Sequence, residues 1–246
     1  MSRTALITGA GSGIGQVTAR MFLRHGWRVA LLGRHVERLR QTAAGYEDHT
    51  LILGCDVADS ANVARSFQEL ETQWGRLDVL FNNAGLGAPA ATPDALSIES
   101  WHEVVNVNLN GAFFCAREAF RIMRQQSPQG GRIINNGSIS AQSPRPGSIA
   151  YTASKHAITG LTKSLSLDGR AFNIIASQVD IGNAATSMTN VMAKGIMQAN
   201  GDVKSEPCMD AQNVAQLILQ IANMPLEANI FNVTIMASTM PLIGRG

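Results

Sequence analysis

The chain has 246 residues, 45% hydrophobic and 15% charged, with a net charge of +2 at pH 7. A chain of this length buries a large core, the composition is that of a soluble globular protein, and the near-neutral charge without a long basic run argues against a nucleic-acid partner. No uninterrupted apolar run reaches membrane-spanning length, and Met1-Ser-Arg-Thr-Ala-Leu-Ile7 leaves no room for a secretory leader, so the chain reads as cytoplasmic with no membrane partner.

In chain order, short apolar runs at 5–7, 29–32, 51–53, 79–81, 132–134, 173–176 and 230–235 read as buried strands. Helical patterns lie between them at 14–25, 36–44, 61–74, 98–126, 149–167 and 211–222. Strand–helix alternation implies parallel strands joined by right-handed crossovers, with helices on both faces. No Pro/Gly/Ser-rich linker divides the chain, which predicts one α/β domain over 1–246, a doubly wound Rossmann-type fold around a parallel seven-stranded sheet. Cys55, Cys115 and Cys208 have no metal-like spacing and read as buried free thiols in a reducing compartment, so no metal site is expected.

The first strand runs into Thr8-Gly-Ala-Gly-Ser-Gly-Ile-Gly15. Glycines between a strand and a helix permit a tight turn and close backbone approach to a pyrophosphate, and the helix N-terminus beyond offers N–H groups and a favourable dipole. Gly33 closes the second strand, where a carboxylate would bind an adenosine ribose and repel a 2′-phosphate. Arg34 follows it and suits a 2′-phosphate, so NADP(H) is expected over NAD(H). Asp59 is placed to cap the helix near Ala61. Tyr151 and Lys155 are four apart and share a helix face. A lysine ammonium beside a phenol favours the phenolate, which turns a poor acid into a usable general acid/base.

These motifs, with Asn82-Asn-Ala-Gly85 after the fourth strand and Ser138 thirteen residues before Tyr151, resemble the core-size branch of the short-chain dehydrogenase/reductase family in order and spacing. The resemblance implies an NAD(P)(H)-dependent oxidoreductase that moves hydride between nicotinamide and a carbonyl or alcohol. It assigns catalysis to Asn108, Ser138, Tyr151 and Lys155: Ser138 binds the substrate oxygen, Tyr151 transfers the proton, Lys155 binds the nicotinamide ribose, and the Asn108 backbone holds a linked water. It assigns cofactor contacts to Gly9, Ser12, Gly13, Ile14, Gly15, Arg34, Asp56, Val57, Asn82, Ala84, Gly85, Ile181, Gly182 and Thr186, together with Tyr151 and Lys155. The rival from another class is a cofactor-binding regulator with little turnover.

Three departures from the family pattern stand out. Gly137 replaces the small polar residue often found before the serine, Ile181-Gly182 replaces Pro-Gly, and Asp168-Gly169-Arg170 makes a short connection before the sixth strand. The resemblance further implies a substrate lid over 183–207 and a homotetramer or homodimer. Ala112, Phe113, Ala116 and Phe120 form one apolar stripe on the long helix, with Ile122 and Met123 expected to face a partner. The run from Ile235 to Ile243 adds apolar surface near the C-terminus. Arg145 is open between an acidic group of a substrate and solvent.

Overall fold

The computed structural model describes residues 2–186 and 195–242. Its main sheet has seven strands: β1 (Thr4–Thr8), β2 (Arg28–Gly33), β3 (Thr50–Gly54), β4 (Val79–Asn82), β5 (Gly131–Asn136), β6 (Ile174–Ile181) and β9 (Asn232–Ile235). All pairings in it are parallel, and the spatial order is β3-β2-β1-β4-β5-β6-β9. The order reverses between β1 and β4, which opens a crevice at the carboxyl ends of these strands. The apolar runs are what bury them: every residue of β1 and β4 is buried.

Helices cover both faces. Against one face lie α1 (Gly13–Arg24), α2 (Val36–Ala43) and α7 (Ala211–Asn223), whose Phe22, Leu39 and Ile218 join one apolar cluster with Trp27 and Ile134. The other face holds α3 (Ser60–Trp74), α4 (Ile98–Val105), α5 (Gly111–Gln125) and α6 (Ile149–Gly169), with Phe67, Leu70, Cys115 and Ala119 in a second cluster. The capping carboxylate expected at Asp59 is where the sequence places it, and Asp210 is a second one that the sequence did not single out. Asp59 accepts from the N–H groups of Ala61 and Asn62 at 2.9 and 3.1 Å. Asp210 accepts from that of Gln212 at 2.8 Å.

The structure corrects the expected elements in four places. The continuous helix over 98–126 is α4 and α5 joined by a π turn at Asn106–Asn110. β6 is longer than its apolar run, because Ser177, Gln178 and Asp180 are polar yet buried. Ile122 and Met123 face the sheet rather than a partner. They follow Cys115 and Ala119 at helical spacing and lie in the same cluster, which leaves Phe113 as the outward aromatic. Cys208 is exposed, unlike Cys55 and Cys115.

Of the stretch expected as a lid, 187–194 lies outside the described residues. The part from 195 onward carries a small antiparallel ribbon, β7 (Ile196–Met197) with β8 (Val203–Lys204). Ile243 at the C-terminus also lies outside the described residues.

Candidate active site

The crevice at the strand ends is a cleft of about 300 Å³. Gly9, Ser12, Gly13 and Ile14 form one end of its wall, between β1 and the first turn of α1. The side chain of Ser12 does not cap α1, and no acidic residue stands in the first turn. The N-terminal N–H groups and the positive end of the helix dipole are therefore directed at the cleft without a competing carboxylate. Gly15 stands behind this wall, where a Cβ would lie 2.3 Å from the Gly9 carbonyl oxygen and 2.5 Å from the Asn83 amide nitrogen. Only glycine permits that close turn.

Gly33 and Arg34 continue the wall with His35 and Arg38, two residues the sequence did not single out. Arg34, His35 and Arg38 are all exposed. Asp56 and Val57 after β3 and Ala84 and Gly85 after β4 line the cleft as expected.

Asn82 does not reach the cleft. Its amide donates to the Ala112 carbonyl and to Asn135 Oδ1, both at 3.0 Å, in the packed interior. Adjacent residues in a strand point to opposite faces, and it is Asn83 that lines the wall. The loop is pinned by Thr8, whose Oγ1 accepts the N–H groups of Asn83 and Ala84, each at 2.9 Å.

At the other end stand Tyr151 and Lys155, one turn apart on α6; Ile181 and Gly182 also line the cleft, and Thr186 lies by the glycine-rich turn, its Cγ2 3.4 Å from where a Gly13 Cβ would be. Lys155 is buried; its Nζ donates to the Asn136 carbonyl at 2.7 Å and lies 5.5 Å from the centre of the Tyr151 ring. Asn136 in turn donates to Asn83 Oδ1 at 3.1 Å, and Asn83 donates to the Thr8 carbonyl at 3.0 Å. A continuous hydrogen-bonded chain thus joins the lysine to the glycine-rich turn. Asn83 stands within the Asn82–Gly85 motif and Asn136 in none, and only the fold reveals that the two form this chain.

Ser138 and Asn108 lie behind the wall and are nearly fully buried. Ser138 Oγ accepts the Ser140 N–H at 3.1 Å, which leaves its O–H to donate. The Asn108 amide is consumed locally: it donates to the Leu86 carbonyl at 2.9 Å and to Ser154 Oγ at 3.1 Å, and accepts the Leu86 N–H at 2.8 Å. The cleft-lining loop at Gly85 and Leu86 is thereby stapled to α6 through the π turn, a helix irregularity that recurs at functional sites.

Arg145 is neither solvated nor available to a substrate. It pairs with the buried Glu206 and donates to Asn183 Oδ1 at 3.0 Å. Burial pushes the Glu206 carboxyl up, but hydrogen bonds from Asn183, Arg145 and Gln198 and the charge of Arg145 outweigh it and hold the group below the ordinary value.

A nicotinamide dinucleotide fits this cleft. The uncapped α1 terminus and close glycine turn suit the pyrophosphate, the Gly33–Arg38 corner suits the adenosine end, and the Tyr151–Lys155 end suits the nicotinamide ribose.

The comparisons with known proteins agree. Residues 3–196 match the family model described as short chain dehydrogenase. A 3beta-hydroxysteroid dehydrogenase of Mediterraneibacter gnavus is 33% identical over 204 residues, which span 82% of this chain and 73% of the relative. Sulfoacetaldehyde reductase 2 of Chromohalobacter salexigens is 32% identical over 241 residues, or 96% of this chain and 94% of that one. Among solved structures, the closed form of serine dehydrogenase complexed with NADP+ superposes with a TM-score of 0.87 at 25% identity, covering 99% of this chain and 98% of the other. The chain belongs to the short-chain dehydrogenase/reductase family. It is an NAD(P)-dependent oxidoreductase of the hydride-transferring kind. Among the described residues no helix is long and apolar enough to cross a membrane.

Proposed function

We propose that the chain is an NADP(H)-preferring carbonyl reductase or alcohol dehydrogenase in which Tyr151 is the general acid/base. The observation that carries this reading is the buried Lys155, held by the Asn136 carbonyl beside Tyr151 at the end of a dinucleotide-sized cleft. A bound nicotinamide supplies the hydride. Tyr151 gives a proton to the substrate oxygen in the reductive direction, and Ser138 donates a hydrogen bond to the same oxygen as charge develops there. Lys155 orients the nicotinamide ribose and returns the proton to Tyr151. Asn108 anchors the far end of this relay with its main chain, since its amide is already spent on Leu86 and Ser154.

The cofactor preference rests on the cationic corner. Gly33 brings no carboxylate, and Arg34, His35 and Arg38 surround the place where a 2′-phosphate would sit. Because Arg145 is engaged by Glu206 and Asn183, it holds no acidic group of a substrate. The three relatives just described act on a steroid, an aldehyde sulfonate and an amino acid by name, and the substrate of this chain is defined here only as a carbonyl/alcohol pair. We further read the chain as one domain working as a cytoplasmic homo-oligomer, for which the free cysteines and the exposed apolar side chains of α4, α5 and α6 are the support.

The test is NADPH oxidation against a panel of aldehydes and ketones, with Tyr151→Phe as control. The variant is expected to bind NADPH as the parent does and to lose several orders of magnitude in kcat. Near-parental turnover by Tyr151→Phe would assign the proton to another group.

A further inference from the structure

We propose that Asp180 is a positioning residue for the reaction, a buried carboxyl group that sets the main chain of Ser138 and thereby aims its hydroxyl. Asp180 sits near the end of β6, only 2% exposed. Its Oδ1 accepts the main-chain N–H of Ser138 at 3.1 Å and Gln178 Nε2 at 2.7 Å. Its Oδ2 accepts Gln142 Nε2 and Asn232 Nδ2, each at 3.2 Å. Four N–H donors from the β5 end, the turn after it, β6 and β9 therefore converge on one side chain. Both oxygens of this buried carboxylate are thus occupied, which fixes the Ser138 main chain against it, while Gln178 Oε1 is left without a partner.

Gly137 supports the same assignment independently. A Cβ built there would lie 2.1 Å from Asp180 Oδ1, well inside any real contact. A side chain such as the family-typical small polar residue cannot stand before Ser138 while Asp180 stands behind it, so Gly137 and Asp180 are matched to one another. Any side chain at 137 would push the carboxyl off the Ser138 N–H. The adjoining Ile181 and Gly182 line the cleft, which places the network directly under the reacting end. A displacement of about 1 Å at such a site lowers rate by up to about a hundredfold.

The inference rests on the reading of Ser138 as the donor to the substrate oxygen, and the experiment separates the two. Asp180→Asn keeps the side-chain shape and turns one acceptor into a donor. In the NADPH-bound protein it is expected to lower kcat about tenfold on the best carbonyl of the panel, with the Kd for NADPH unchanged. In a Ser138→Ala background the same change should cost almost nothing more, because its effect passes through Ser138. An equal loss in both backgrounds, or no loss in either, overturns the proposal.

A second readout needs no turnover. Amide hydrogen exchange of the peptide spanning 137–142 should speed up in Asp180→Asn while α7 and β1 keep their protection. Gly137→Ala should produce the same local loosening from the other side of the contact, which covers the case in which Asp180→Asn does not fold. Adding Asp180→Ala to Gly137→Ala should relieve the clash and restore part of the Tm lost by Gly137→Ala alone. Parental exchange in both single variants overturns the role of Asp180. If Ser138→Ala by itself leaves kcat unchanged, the reading of Ser138 fails, and the exchange result still decides whether Asp180 holds the segment.

Discussion

Gly33 has room for a side chain: a Cβ there meets only Leu39 Cδ2, at 3.4 Å. Its absence of a carboxylate is therefore chemical rather than steric in effect. Gly33→Asp is expected to fold normally and to reverse the cofactor preference, because the new carboxylate binds ribose hydroxyls and repels a 2′-phosphate. A charge-assisted contact of this kind is worth about 1.5–3 kcal/mol, or about ten- to a hundredfold in Kd. Fluorescence titration of parent and variant with NADPH and NADH measures it, and equal affinities in the parent would defeat the NADP(H) assignment. The cysteines divide at the same scale. Burial pushes the thiols of Cys55 and Cys115 up, so little of the reactive thiolate exists at neutral pH, and the protein shields both. Cys208 is exposed. Native protein at pH 7.5 should take up one equivalent of a maleimide quickly and two more only on unfolding, read by intact mass; fast uptake of three would contradict the packing around α5.

Elements show which parts of this site a sequence can announce. The glycine-rich turn, the Tyr151–Lys155 spacing and the strand–helix alternation were legible because each is written in consecutive residues with a fixed period. The π turn at Asn106–Asn110 was not, since three asparagines mark a polar task but not the register of a helix. The motif points to Asn82, and only the strand's facing shows that Asn83 lines the cleft instead, while the convergence on Asp180 joins residues from 138 to 232. The Arg145–Glu206 pair is of the same kind, tying the turn before α6 to the segment after β8. Its pH dependence has a definite sign. Glu206 is held below its ordinary value in the folded chain, so its contribution is complete above the unfolded carboxyl pKa and is lost as pH falls through the lower, folded one. Arg145→Ala strands a buried carboxylate, and removal of one partner of such a pair costs about 3–5 kcal/mol. Thermal melts should show a clear drop in Tm for Arg145→Ala at pH 7 that narrows toward pH 4. A drop that stays constant over this range would mean the arginine acts through packing alone.

At the scale of the molecule, one face carries apolar surface that the described chain does not cover. Ile98 on α4, Phe113 on α5 and Leu167 on α6 are 64%, 47% and 61% exposed, and the three helices lie over the same side of the sheet. Single exposed apolar residues are ordinary, and we read three large ones on helices of one face as the place of a contact. The sheet also ends on β9, where Phe231 is 39% exposed beside the edge strand and no further strand of the described residues pairs with it. We read this open edge, next to an exposed aromatic, as a second place for another copy to pack. Two separate surfaces of this kind fit a symmetric assembly with two kinds of two-fold interface, which is a tetramer. Light scattering at micromolar concentration should therefore give about four times the 26.2 kDa chain mass. Phe113→Glu with Leu167→Glu should reduce it to about half, because only the helical interface carries those residues. A parental mass near 26.2 kDa would rule the assembly out, and an unchanged mass in the double variant would move the interface off α5 and α6.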